Sequence, residues 1–143
     1  MTLDLSSLKR SIAQLEEALF YCGSDVALAD DRLALHLRAG AIQAFEFTYE
    51  VCFKMLKRYL EMTEPDGASA DQMTFHELIR TGYEKGLLSS ELSVWKEYRK
   101  ERGTTSHTYD EEKAEAVFED IPAFLVDGQY LLSQLAQRQS KED

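Results

Sequence analysis

The sequence predicts an all-α protein, an up-and-down four-helix bundle with an additional short helix, five helices in one domain spanning residues 1–143. Three observations predict it. Only two prolines and seven glycines interrupt 143 residues, apolar residues recur at steps of three and four, and no segment alternates apolar and polar positions between turn residues as a half-buried strand would. The make-up, 44% hydrophobic and 29% charged, is that of one ordinary globular domain. A chain of this length buries roughly two thirds of its unfolded surface, so neither disulfides nor a structural metal is required.

The first predicted helix runs from Asp4 to Cys22, where Leu5, Leu8, Ile12, Leu15, Leu19 and Cys22 form a single apolar stripe. The second runs from Asp30 to Met62 and stops before Pro65-Asp66-Gly67, which extends a helix poorly. It carries two stripes, Ile42, Phe45, Tyr49, Phe53, Leu56 and Leu60 on one and Phe47, Val51 and Met55 on the other. Two stripes predict neighbours on two sides, hence a central helix or a dimer face. The third helix spans Asp71 to Lys85, with Asp71 as its N-cap and Gly86 at the C′ position, where the left-handed conformation costs glycine little.

The fourth helix starts at Ser89 or Ser90 with Leu92, Trp95 and either Tyr98 or Arg99 facing inward. Arg102, seven positions after Trp95, falls within ~20° of that face on an ideal wheel and so points toward something packed. Gly103 is expected to interrupt this helix. The fifth begins at Thr108 or Asp110, since Thr108-x-x-Glu111 reads as a capping box. It continues through Ala114, Val117, Ile121, Phe124, Gly128, Leu132 and Leu135 to about Arg138, with a bend expected at Pro122. Gln139 to Asp143 read as a frayed end, so the ordered core is expected to cover about 4–138.

A net charge of −10 repels phosphate backbones at long range, which argues against general DNA or RNA coating. Binding at one local basic pocket remains compatible, because charges beyond about 10 Å are largely screened at ~0.1 M salt. No apolar run reaches the roughly 18 residues of a membrane span, and the start lacks a basic segment followed by an apolar block. A cytoplasmic protein is expected. Cys22 and Cys52, thirty positions apart, have neither zinc-site nor redox-motif spacing and read as free, buried thiols. His36 and His76 have no ligand partner one turn away, and no metal or cofactor site is expected. Glu46 and Glu50, one turn apart, read as a solvated face salt-bridged through Lys54 at i+4 from Glu50.

Chemistry concentrates at Arg102-Gly103-Thr104-Thr105-Ser106-His107-Thr108-Tyr109. Arg102 offers a planar fork of donors suited to phosphate, and as a cation it complements the end of its helix. Thr104, Thr105 and Ser106 add hydroxyls. His107 titrates near neutral pH and immediately precedes the amides of the next helix, a natural anion site. Together these are the parts of a metal-independent phosphodiester cleavage, with the ribose 2′-hydroxyl as nucleophile and RNA as substrate. By composition and spacing alone, the same segment also reads as an ordinary capped connector between two helices.

Two motifs carry a family resemblance. Phe45-Glu46-Phe47-Thr48-Tyr49-Glu50 with Lys54 on one helix, followed by Arg102-x4-His107-x-Tyr109-Asp110-Glu111, resemble the HEPN-superfamily nucleotidyltransferase substrate-binding proteins, a group that includes the HepT-type toxins. The resemblance covers about Leu5 to Leu135. It implies a bundle that forms a homodimer, with Arg and His of two protomers near one another, and a minimal nucleotidyltransferase as partner. It further implies Arg102 and His107 as the RNA-cleaving pair and Tyr109 as the tyrosine that the partner modifies with AMP, silencing the toxin. Thr104, Thr105, Ser106, Asp110, Glu46 and Glu50 would support the site.

The sequence departs from that pattern where Gly103 replaces the asparagine that usually follows the motif arginine. If that side chain orients the phosphate or the histidine, catalysis weakens while the scaffold and partner remain. Phe53 also stands where many relatives have tryptophan, a conservative change for packing. The alternative to a ribonuclease toxin is therefore a non-catalytic substrate- or nucleotide-binding subunit of a two-component nucleotidyltransferase. A purely structural helical module is the third reading, and it requires that Arg102, His107 and Tyr109 not converge.

Overall fold

The computed structural model describes residues 2–64, 71–105 and 110–142, with the side chains of 104, 105 and 140–142 excepted. Among the described residues there are six helices: α1 (Ser6–Cys22), α2 (Asp25–Ala29), α3 (Asp31–Thr63), α4 (Phe75–Glu84), α5 (Leu92–Thr105) and α6 (Glu111–Glu142). The all-α bundle holds, with one helix more than expected. The extra piece is α2, five residues capped by Ser24, whose hydroxyl accepts from the Ala27 amide. It is too short to show a 3.6-residue apolar period, so the sequence pattern does not reveal it.

Central α3 packs against all five other helices. Its apolar positions Ile42, Phe45, Tyr49, Leu56 and Leu60 are buried, as are Val51 and Met55 of the second stripe, whereas Phe47 remains 57% exposed. The long helices alternate in direction. Thr48 of α3 donates its hydroxyl to the Ser11 carbonyl of α1. Gln129 donates to Glu16, and the Leu3 amide donates to Gln139, so α6 runs antiparallel to α1. The long helix α6 contains Pro122 without a break and continues to Glu142, past the frayed end expected after Arg138.

A cluster of aromatic rings forms the middle of the core. Phe124 of α6 meets Phe45 edge-on at 4.9 Å and Tyr98 at 5.2 Å, and Trp95 meets Tyr98 at 5.3 Å. Edge-to-face geometry places the positive rim of one ring over the negative face of another, which adds about 0.5–1.5 kcal/mol per pair to burial. Trp95 and Tyr98 supply the inward face of α5, and Arg99 is exposed, which decides between the two alternatives of the sequence reading.

Further helix boundaries differ from expectation, α5 starting at Leu92 and not at Ser89 or Ser90. Helix α4 is capped by Thr74, which accepts from the Glu77 amide, and not by Asp71; Thr74-Phe75-His76-Glu77 has the capping-box spacing. Asp71 instead pairs with Lys57 at 3.6 Å. Gly86 adopts φ +78 just beyond the Lys85 cap, as expected for a C′ glycine. Helix α5 does not stop at Gly103 but runs through it to Thr105. A single glycine costs a helix only ~1 kcal/mol relative to alanine, which the packed Trp95–Tyr98 face readily offsets.

Candidate functional site

A groove of about 360 Å³ opens where α3, α4 and α5 meet, lined by Tyr49, Glu50, Phe53, Phe75, Arg99, Arg102 and Gly103. Its position follows from helix geometry. Burying Trp95 and Tyr98 places Arg99 and Arg102, each four positions further on, at the edge of the α3–α5 contact. Helix α3 presents Tyr49, Glu50 and Phe53 to the same space, and the start of α4 adds Phe75.

Glu50 forms an ion pair with Arg102, both side chains about two-fifths exposed. Among the described residues Glu50 pairs with Arg102 across the helix contact and not with Lys54 along its own helix. The tertiary partner wins because the inward-turned guanidinium of α5 meets the carboxylate directly, while Lys54 is exposed to water. Arg102 lies in the last turn of α5, where its charge also complements the helix dipole.

Arg99 stands over the Phe75 ring with its guanidinium carbon 4.5 Å from the centroid, and Phe75 stacks on Phe53 at 5.9 Å with 21° between planes. The floor of the groove is thus aromatic and its rim is cationic. Burial pushes the Tyr49 phenol up to about 12, with the two arginines pulling the other way, so it is a neutral hydroxyl at physiological pH.

The expected site residues are distributed as follows. Arg102 and Glu50 line the groove; Glu46, one turn away on α3, is half-buried and is not part of the lining. Asp110 caps α6, its carboxylate accepting from the amides of Glu112 and Lys113. Thr104 and Thr105 complete α5, but their side chains lie outside the described residues, as do Ser106, His107, Thr108 and Tyr109 altogether. His36 and His76 are exposed. Cys52 is a buried free thiol pushed up to about 12 by burial; Cys22 is free and only partly buried.

Sequence reasoning missed Arg99, Phe75 and Asp127. Arg99 was legible as the position three before Arg102, since i and i+3 share a helix face. Phe75 comes from a different helix and carries no local signal. Asp127 sits on the apolar stripe of α6, three after Phe124, and is 4% exposed. It accepts hydrogen bonds from Ser89 and Ser90, each at 2.7 Å, and from Tyr98.

A larger groove of about 500 Å³ is lined by Ser93, Val94, Glu97, Tyr98, Asp120 and Ala123. Among the described residues it presents two carboxylates and no cation, which does not suit an anionic ligand.

Comparison with known proteins agrees with the helical arrangement. Residues 3–137 match the family described as "Nucleotidyltransferase substrate binding protein like". The chain belongs to that family. Within this nucleotidyltransferase substrate-binding family, it is similar to "Probable ribonuclease HepT" of Haemophilus influenzae, 37% identical over 132 residues that cover 92% of this chain and 86% of the relative. Among solved structures it resembles HI0074 of Haemophilus influenzae, said to reveal the fold of a substrate binding domain of a nucleotidyltransferase. The TM-score is 0.86 at 35% identity, covering 93% of this chain and 99% of the other. A protein from Thermus thermophilus superposes with a TM-score of 0.68 at 29% identity, covering 90% of this chain and 98% of the other. Among the described residues, no helix of this family member is long and apolar enough to cross a membrane.

Proposed function

We propose that this chain is a HepT-like, metal-independent endoribonuclease toxin that acts with a minimal nucleotidyltransferase as its antitoxin. The observation that carries the reading is the groove itself, where Arg102 in the last turn of α5 stands with a second guanidinium and an aromatic floor, a few positions ahead of His107 and Tyr109 in the sequence. The 37% identity to a probable ribonuclease supports it. In the proposed reaction the ribose 2′-oxygen attacks phosphorus and the bond from phosphorus to the 5′-oxygen breaks. His107 transfers the proton lost by the 2′-hydroxyl or the equivalent one gained by the 5′-oxygen, and Arg102 stabilises charge growing on the phosphate. A homodimer would bring two such sets of residues together.

Tyr109 is the proposed switch. Its phenolic oxygen attacks the α-phosphorus of a nucleoside triphosphate held by the partner, pyrophosphate leaves, and the attached AMP fills the space that the RNA phosphate needs. The added negative charge opposes a second phosphate there.

The test is to incubate the purified chain with single-stranded RNA in the presence of EDTA. Cleavage that disappears in both His107→Ala and Arg102→Ala is expected; cleavage unchanged by either substitution, or none from the parent chain, refutes the catalytic reading. One observation favours the second reading, a non-catalytic subunit presenting a nucleotide or acceptor to its partner: Gly103 has no polar side chain. A Cβ there meets nothing within 4 Å among the described residues, so Gly103→Asn fits the fold. If the asparagine is what a weak enzyme lacks, Gly103→Asn raises the cleavage rate; a substituted protein that still binds without cutting supports the second reading.

A further inference from the structure

We infer that Arg99, seated on Phe75, is a second phosphate-binding residue that holds the RNA strand one phosphate away from the group at Arg102. This rests on the RNA substrate proposed above and adds to it a residue outside the Arg102–His107 motif. Arg99 and Arg102 are three apart on α5, which makes them neighbours on one helix face, and both line the same groove. The two cations are held differently. Arg102 has Glu50 as its counter-ion, whereas Arg99 has no carboxylate within 4.0 Å among the described residues.

What holds Arg99 is the Phe75 ring, 4.5 Å from its guanidinium carbon, itself backed by Phe53. A guanidinium over a ring face keeps its N–H donors available and has already lost much of the freedom that an exposed arginine sacrifices on binding. Among the described residues the groove lining therefore carries two guanidinium groups against one carboxylate, a local excess of positive charge on a chain of net charge −10. A positive patch of that kind attracts a phosphodiester strand at the groove, on a chain whose net charge opposes it elsewhere. The aromatic floor of Tyr49, Phe53 and Phe75 suits the flanking base or ribose.

The experiment measures anisotropy of a labelled single-stranded RNA in EDTA, with full-length protein carrying His107→Ala to prevent turnover, from about 50 to 200 mM salt. Arg99→Ala is compared with Arg32→Ala, an equal change of net charge on α3 about 27 Å along the axis from Glu50 at 1.5 Å per residue. Removing one phosphate contact lowers the slope of log K against log salt by about 0.7 in Arg99→Ala and leaves it unchanged in Arg32→Ala. Equal slopes in the Arg99→Ala protein and its parent, equal reductions in both arginine variants, or no binding by the parent overturn the assignment. The outcome separates from that of the cleavage assay. RNA cut by the native chain with no slope change removes Arg99 and leaves catalysis standing, whereas a lost slope without cleavage does the reverse.

Discussion

The two ends of α5 are both fastened to a neighbouring helix by a carboxylate, and they are fastened in opposite ways. Toward its start, Asp127 of α6 is buried at 4% exposure and takes three hydroxyl donors, from Ser89 and Ser90 just before α5 and from Tyr98 halfway along it. In the last turn of α5, Arg102 meets Glu50 of α3 in an ion pair whose two side chains are each about two-fifths exposed. Buried hydrogen bonds with every donor placed are strong and rigid, because breaking one strands a polar group away from water. Exposed ion pairs contribute little and exchange partners easily. So α5 is tied firmly toward its start and more loosely in the last turn that carries the candidate site.

The largest expected effect comes from cutting the anchor. Asp127→Ala strands the Tyr98 hydroxyl in the aromatic core and should lower stability by about 3 kcal/mol in urea unfolding. Burial, reinforced by the hydrogen bond to Asp127, already pushes that phenol well above its ordinary range. Glu50→Ala at the other end should lower stability by no more than about 1 kcal/mol in the same measurement. Comparable losses from the two substitutions would erase the contrast between the ends.

The smallest effect sharpens the picture of the looser end. Glu101, next to Arg102, is pushed up to about 8, first by burial and then by a hydrogen bond and repulsion from Asp120 on α6. The folded protein thus holds this proton more tightly than the unfolded chain, whose carboxyl titrates near 4.5. The stabilisation it brings is complete below about pH 4.5 and is lost as pH rises through about 8. Melting temperatures at about pH 6 and pH 9 should fall further apart in the native chain than in Glu101→Gln, which cannot ionise. Identical pH dependence in both would show that the carboxyl pair does not couple α5 to α6.

Much of this fold was legible from periodicity, and the failures have local causes. The stripes of α1, α3 and α6 mark their buried faces because a helix in a bundle repeats its environment every 3.6 residues. The missed α2 is shorter than two such repeats, and the predicted break at Gly103 gave glycine's propensity more weight than the packing of Trp95 and Tyr98. Of the candidate site, Arg102 stood out from its motif. Arg99 could be placed on the same face as Arg102, but its Phe75 partner could not, because a contact across two helices is invisible in either segment.

By itself the sequence determined an all-α bundle and the position of the helices that bury their apolar stripes. Only the tertiary structure decided that Glu50 turns to Arg102 instead of Lys54, that Phe75 supports Arg99, and that Asp127 is buried among hydroxyls. The reason is range: helix periodicity is written in neighbours three and four residues apart, whereas each of those contacts joins residues far apart in the sequence.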